Sequence, residues 1–318
     1  NVIKNFKDLA VTETRKQILE IIEAGLKAID TERVVTENFK NIKLSVKKSG
    51  RLIVIGIGKC SLEAGATLEK ILGSSISSGV IVDVHEGVLE RIKTFKGSHP
   101  FPSEINVDAT REIIKVLHGL TKDDLVLFIV SGGGSTMLCQ PTNFTCQDES
   151  EIIKHLFAVG ANIKEINTIR KHLSLARGGY LAKYAYPAKV VSLIFSDVPG
   201  DIVEFIASGP TVKDSTTVAH AKKIIQKYGI EKKFGFIEDG LIETPKDDKY
   251  FKNVKNILLV TNKIALTAMA ERGKELGLKT RIKTGKLQGE AREVGEKIIR
   301  DLDGVPSKTV FLYGGETT

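Results

Sequence analysis

DLVLFIVSGGGSTML, residues 124–138, joins an unbroken apolar run from Leu125 to Val130 to three consecutive glycines flanked by Ser131 and Ser135. An apolar run without alternation suits a strand covered on both faces, because a strand with one wet face would carry a polar residue at every second position. Three glycines exceed what a simple reversal needs. Runs of the same kind recur as LIVIGI (52–57), GVIVDV (79–84) and KVVSLIF (189–195). Between them lie helical patterns such as NVDATREIIKVLHGL and ESEIIKHLFAVGANI, and ahead of them Ile18, Ile22, Leu26 and Ile29 mark the buried stripe of a helix over 14–29. Near-continuous apolar strands alternating with helices predict an α/β fold with a mostly parallel sheet covered on both faces.

Near residue 230 the pattern changes. EKKFGFIEDGLIETPKDDKYFKN is charged, aperiodic and contains Pro245, which predicts a linker over 236–250 between a domain 1–235 and a domain 251–318. Beyond it the alternation restarts with KNILLVT, a helix through AMAERGKELG, the strand LKTRIKTG, a helix GEAREVGEKIIRDL and the strand TVFLYGG. That order is expected to form a second βαβαβ unit, truncated as its third strand ends.

The 318 residues, 42% hydrophobic, suffice for one large core or two smaller ones. An excess of 47 Lys+Arg over 39 Asp+Glu suits anionic ligands such as phosphates and carboxylates. Nucleic acid is not the expected partner, because aromatics are 6%, Trp is absent and no basic block is interleaved with aromatic residues. Cys60, Cys139 and Cys146 are too scattered for a disulfide framework or a zinc site, which points to a reducing compartment, the cytoplasm. No apolar run approaches the roughly 18 residues of a membrane helix, and the first residues lack a signal-peptide pattern.

In open α/β sheets, ligands bind outside the carboxyl ends of the strands. The strand ends here deliver Gly56, Gly58 and Lys59; Ser131 to Ser135; Ser196, Asp197 and Asp201; and Gly314, Gly315 and Glu316. If Gly132, Gly133 and Gly134 precede a helix beginning near Ser135, their backbone N–H groups can form a concave nest for a phosphate, with Ser131 and Ser135 adding hydroxyl donors. The alternative is a tight turn. GIGKCS (56–61) is no Walker A loop, and as a dinucleotide fingerprint it has Ser61 at the third glycine position, with Asp83 as the following acid. Lys59 is a candidate cation for a transferring phosphoryl group. In FSDVPGD, Asp197 and Asp201 are candidates to hold Mg²⁺, one of them to act as a base, or to form an Asx-type turn. Arg170, Lys171, His172 and Arg177 in INTIRKHLSLARGG are either an anion grip or a solvated face. His99 in GSHPFP is expected to be a hydrogen-bonded loop residue, and His85 and His155 structural or surface groups.

These motifs, with EINTIRKHLS, GGYLA, IASGPTVKDSTT, TNKIALTAM, GEAREVG and YGGETT, run through nearly the whole chain in an order that resembles the glycerate kinases of the GK-II or MOFRL type. The resemblance implies two Rossmann-like α/β domains with the active site in the cleft between them, and transfer of the γ-phosphate of ATP to D-glycerate, giving 2-phosphoglycerate, with Mg²⁺ as helper. It implies that Lys59 is the catalytic lysine of the GxGK motif and that Ser131 to Ser135 meet the nucleotide phosphates. By the same resemblance Asp197 and Asp201 are the acids of the SDVxGD motif, and Glu316 belongs to the GGET motif. Lys59 or Arg170 would hold the substrate carboxylate, and Asp197 would accept the proton of the attacking hydroxyl. A homodimer is expected by analogy. Departures from the family pattern are Ser98 before His99, Ser103 where Asp is common, Arg177 where Lys is usual, and the lack of the GGRNQE stretch, which carries an active-site arginine. Two other readings stand beside it: an NAD(P)H-dependent hydroxypyruvate reductase and a non-catalytic nucleotide-binding protein.

Overall fold

Six strands form one sheet in the order β3-β2-β1-β4-β5-β6: β1 (Leu52–Ile57), β2 (Ser78–Asp83), β3 (Lys93–Lys96), β4 (Leu125–Val130), β5 (Lys189–Phe195) and β6 (Val254–Val260). The structure is a computed structural model that describes residues 2–40, 42, 46–47 and 49–317; Thr318, the last residue of YGGETT, lies outside them. The unbroken apolar runs are explained by position, since every residue of β1 and β4 is buried at the centre of the sheet. Their register pairs Ile55 with Val80 on one side and with Phe128 on the other, all parallel. From β1 the chain builds outward to β2 and β3, and from β4 outward the other way, so the switch in strand order falls between β1 and β4. Loops leaving those two strands diverge at their carboxyl ends, the place where such sheets accept ligands.

A staple fixes the opposite end of these two strands. Asp124, just before β4, is 2% exposed; it accepts hydrogen bonds from the Arg51 backbone N–H at 2.7 Å and from Arg51 Nη2 at 2.9 Å. The Arg51 guanidinium outweighs the burial of the Asp124 carboxyl and holds it well below the usual carboxylate range. A depressed folded pKa gives stability that is present above the unfolded value, near pH 4, and is lost as pH falls through the folded one. Asp124→Asn is therefore expected to cost about 1.5–3 kcal/mol at pH 7, with the gap from wild type narrowing below about pH 4 in urea titrations.

The chain resolves into two compact units, one of residues 39–195 and 203–258, the other of 1–38, 196–202 and 259–318. This differs from a division at 236–250. The segment expected as a linker belongs to the first unit: Ile237 is fully buried in a core with Ile152, Ile166, Ile169 and Ile225, and Ile242 N–H donates to His172 O at 2.8 Å. Its charges face outward while sparse apolar residues anchor it, a spacing too irregular to register as a helix or strand. KNILLVT is likewise corrected, for it opens no second sheet. It forms β6, whose ends meet β5 through Val190 N–H to Asn253 O and Ser196 N–H to Val260 O.

In the smaller unit, β7 (Lys279–Leu287) and β8 (Thr309–Gly315) form a two-stranded parallel sheet. The helices Glu13–Ala28 and Asn262–Glu275 pack together there around Ile21, Leu266, Ala270 and Leu312. No described helix is long and apolar enough to cross a membrane.

Candidate functional site

Lys59 follows β1 at the turn into the helix Ser61–Leu72, and SGGGS follows β4, so strand pairing alone brings them together. The two loops clasp through backbone contacts: Lys59 N–H donates to Gly132 O at 3.0 Å and Ser131 N–H to Ile57 O at 2.9 Å. Gly58, at φ 114°, allows the approach, because a Cβ there would stand 2.3 Å from Ser131 Oγ. Ser131 is buried and spends its hydroxyl inside this clasp, accepting from Cys60 N–H at 3.3 Å and donating to Ile57 O. Its expected part as a phosphate donor is thus taken up by structure.

The glycines behave differently from one another. Only Gly133, at φ 80°, is left-handed, and the helix that follows, Gly134–Met137, is a single turn with little dipole to offer. Gly134 is small for packing, since a Cβ would lie 2.5 Å from that of Ala207. Gly132, Gly133 and Ser135 remain partly exposed, and among the described residues none of their amide N–H groups donates a hydrogen bond. The anion-binding capacity rests on those three amides rather than on a helix.

Around them stand cations that make no ion pair among the described residues. Lys59 is exposed and makes no ion pair among the described residues. A Cβ on Gly133 would lie 3.1 Å from Lys59 Cε and 3.2 Å from His99 Cδ2, so both side chains flank this one residue. Burial, together with the charges of Lys59 and Arg170, pushes the His99 imidazole below its ordinary pKa, which keeps it neutral at pH 7. His99 makes no hydrogen bond among the described residues, contrary to the expectation of a bonded loop histidine. Its loop is held instead by Asn106, which accepts from Ser98 N–H at 2.8 Å and donates to Thr136 O at 3.1 Å.

Arg170 is half-buried, with its Nε enclosed and unpartnered. Burial and the neighbouring Arg177 pull its pKa below the usual value, though it stays protonated at neutral pH. One turn earlier on the same helix, Asn167 Oδ1 accepts from Ser208 Oγ at 3.1 Å, and Ser208 Oγ meets Ser135 Oγ at 2.9 Å. Ala207 and Ser208 both hold positive φ, at 50° and 57°, a strained conformation for residues with a Cβ. Sequence reasoning gave His99 only a loop role and passed over Ser208 and Asn167. The signal for His99 was a histidine followed by two prolines, Pro100 and Pro102, between a strand and a helix.

The other cations of INTIRKHLSLARGG are neither solvated nor free. Lys171, His172 and Arg177 are fully buried, and Lys171 and Arg177 are ion-paired, Lys171 to Asp214 and Glu204 and Arg177 to Glu149. His172 bonds Ile242 O and Thr216 Oγ1. The remaining predicted residues lie in the smaller unit. Asp197 is exposed, Asp201 holds φ 56° with its N–H on Val198 O, and exposed Glu316 follows β8 with its N–H on Leu287 O. Asp201 also lines a cavity of about 430 Å³ with Gly200, Asn262, Lys263, Ile282 and Lys286.

Gly133→Ala offers a direct check on the cluster. The new methyl faces both an unfavourable φ and the two side chains, so the variant is expected to lose about tenfold or more in turnover. An unchanged turnover in a steady-state assay would detach Lys59 and His99 from the chemistry.

A family model described as a domain of unknown function (DUF4147) matches residues 17–235. D-glycerate 2-kinase of Thermotoga maritima is 34% identical over 95% of this chain and 73% of its own. A protein of Agrobacterium vitis, provisionally named a hydroxypyruvate reductase, is 39% identical over 96% of this chain and 70% of its own. The crystal structure of glycerate kinase from Thermotoga maritima superposes with a TM-score of 0.85 at 32% identity, covering 96% of this chain and 75% of that one. With a family model spanning most of the chain, and a kinase of known structure matching it in sequence and in fold, the chain belongs to the glycerate kinase family.

Proposed function

We propose that the protein is a glycerate 2-kinase, moving the γ-phosphoryl group of ATP to the 2-hydroxyl of D-glycerate. The observation that carries this reading is the grouping of Lys59 with three undonated amides at one turn and of Arg170, whose charge acts on the same His99, with neither cation ion-paired among the described residues. Both the substrate carboxylate and the transferring phosphoryl group need such compensation. Arg170, with its planar fork, suits the carboxylate, and Ser135 and Ser208 add hydroxyls beside it. Lys59, a compact charge on a flexible stem, suits the phosphoryl oxygens.

Asp197 is the proposed acceptor of the hydroxyl proton. Asp197 and Asp201 are the proposed ligands of Mg²⁺, which needs only one or two carboxylates when substrate phosphates complete its shell. Two acids four residues apart in one tight loop fit that modest requirement, and no group of three or more His, Cys, Asp or Glu is poised for a metal among the described residues. When bound, the ion would neutralise charge on the phosphates. Glu316 is assigned to the nucleotide in the same reading.

The reductase name of one relative calls for a second test, yet the fingerprint loop is poorly suited to a dinucleotide. Ser61 is buried with its hydroxyl on Gly58 O and Val82 O, and both Asp83 oxygens are engaged by Leu62 N–H and His85. Asp83 has no oxygen to spare for a ribose. ³¹P NMR of the protein with ATP, Mg²⁺ and D-glycerate decides the matter. A phosphomonoester coupled to one proton is the expected product, coupling to two protons would move the phosphate to the 3-hydroxyl, and no ester with ATP intact would overturn the kinase reading.

A further inference from the structure

On the β2 side of Lys59, the first turns of the helix Ser61–Leu72 and the loop 84–92 enclose a cavity of about 420 Å³. That is within the roughly 300–1,000 Å³ of small-ligand sites. Its apolar lining comes from Leu62 and Ala66 of the helix and Val88 and Leu89 of the loop; Lys59, Glu63, Asp83 and His85 line it too. Val88 is 93% exposed, an apolar side chain left in water at the mouth of an apolar slot.

The cavity is built rather than incidental. Asp83 accepts from Leu62 N–H at 2.9 Å and His85 N–H at 3.0 Å, and Glu69 accepts from Glu90 N–H at 3.0 Å and Arg91 N–H at 2.8 Å. Thr94 Oγ1 donates to Gly87 O, and Gly87 is close enough to Leu62 that a Cβ would fall 2.7 Å from Leu62 Cδ2. Both walls are thus fixed to each other before any ligand arrives, and the side chains of Ala66, Val88 and Leu89 take no part in the hydrogen bonds that tie them.

Apolar side chains beside an exposed acid, Glu63, and a cation, Lys59, suit the base, ribose and phosphates of a nucleoside triphosphate, while the other acid of the lining, Asp83, is engaged by Leu62 N–H and His85 N–H. Resting on the kinase reading, we infer that this cavity receives the nucleoside of the phosphoryl donor. The base lies between Leu62 and Ala66 on one side and Val88 and Leu89 on the other. Glu63 accepts from the ribose hydroxyls, and the phosphates pass Lys59 toward the amides of Gly132, Gly133 and Ser135.

The test uses two variants, Val88→Asn and Ala66→Tyr, and calorimetric titration with a non-hydrolysable ATP analogue. Val88→Asn alters an exposed position without adding charge, so folding and phosphate electrostatics are spared. Ala66→Tyr fills the slot. Analogue affinity is expected to fall about tenfold or more in both. Unchanged affinity in both variants overturns the inference. NADH binding that the variants weaken, with the ATP analogue unaffected, overturns it in favour of a dinucleotide. Because the titration needs no turnover, analogue binding weakened by the variants in a protein that yields no phosphoglycerate would sink the kinase reading and leave the nucleoside site standing.

Discussion

Lys59→Ala is expected to lower kcat about 10²–10³-fold while moving Tm by less than about 2 °C. The two halves of that result have separate causes. The side chain is exposed and makes no ion pair among the described residues, so its removal leaves no buried group unsatisfied. Its ammonium stem flanks Gly133, in the middle of the undonated amides, where charge on a transferring phosphoryl group would develop. Lys59→Arg should recover only part of the loss, because a planar fork cannot replace a compact charge at a site this close to backbone. Steady-state kinetics beside a thermal melt separate the outcomes, and near-normal turnover in Lys59→Ala would remove the residue from the reaction.

Lys171→Met is expected to cost about 3–5 kcal/mol in urea denaturation, since breaking a buried ion pair strands its partner charges. Lys171 is fully buried with Nζ 2.5 Å from Asp214 Oδ1 and 2.8 Å from Glu204 Oε1. Asp214 also takes Thr216 N–H and Thr244 Oγ1, and Glu204 takes Ser215 Oγ, so one ammonium ties the helix Ile163–His172 to the segment 204–216. Burial alone would raise the Asp214 carboxyl; the hydrogen bond and charge of Lys171 outweigh it and hold the acid below its ordinary range. Stability from this source is present above about pH 4 and is lost in acid, so the penalty of Lys171→Met should be greatest at neutral pH and should ease as Asp214 takes up a proton. A loss under about 1 kcal/mol would show the cluster to be dispensable. Activity should fall as well, because Ala207 and Ser208 sit within the segment that Lys171 anchors.

Much of the fold was legible because β1 and β4 are buried along their whole length and apolar throughout, and β2 and β5 are buried and apolar along most of theirs. What escaped was the allegiance of β6, whose burial is partial and whose residues read as a strand without saying which sheet they join. The stretch 236–250 misled for a related reason: Ile237 and the pair Thr244 and Pro245 are buried at irregular intervals among exposed charges, and a pattern with no period looks like a tether. At the site, Lys59 and SGGGS were visible as strand-end loops. The chain of hydroxyls through Ser135, Ser208 and Asn167 was not, since it links residues 73 and 41 positions apart. Nor could the cations of INTIRKHLSLARGG be sorted, because only packing separates unpaired Arg170 from Lys171 and Arg177, whose acids come from other segments.

The way Glu69 and Asp83 hold the loop 84–92 has an evolutionary side. Both carboxylates grip it by backbone amides, which every residue type except proline supplies. Side chains at 88 and 89 are thereby released from any duty to the scaffold, and substitutions there are almost neutral for folding. Under the proposed assignments, preference among donor nucleotides can drift along a lineage through those two positions, while recognition of the acceptor acid, proposed at Arg170 on the helix Ile163–His172 and at Ser208, stays under separate selection.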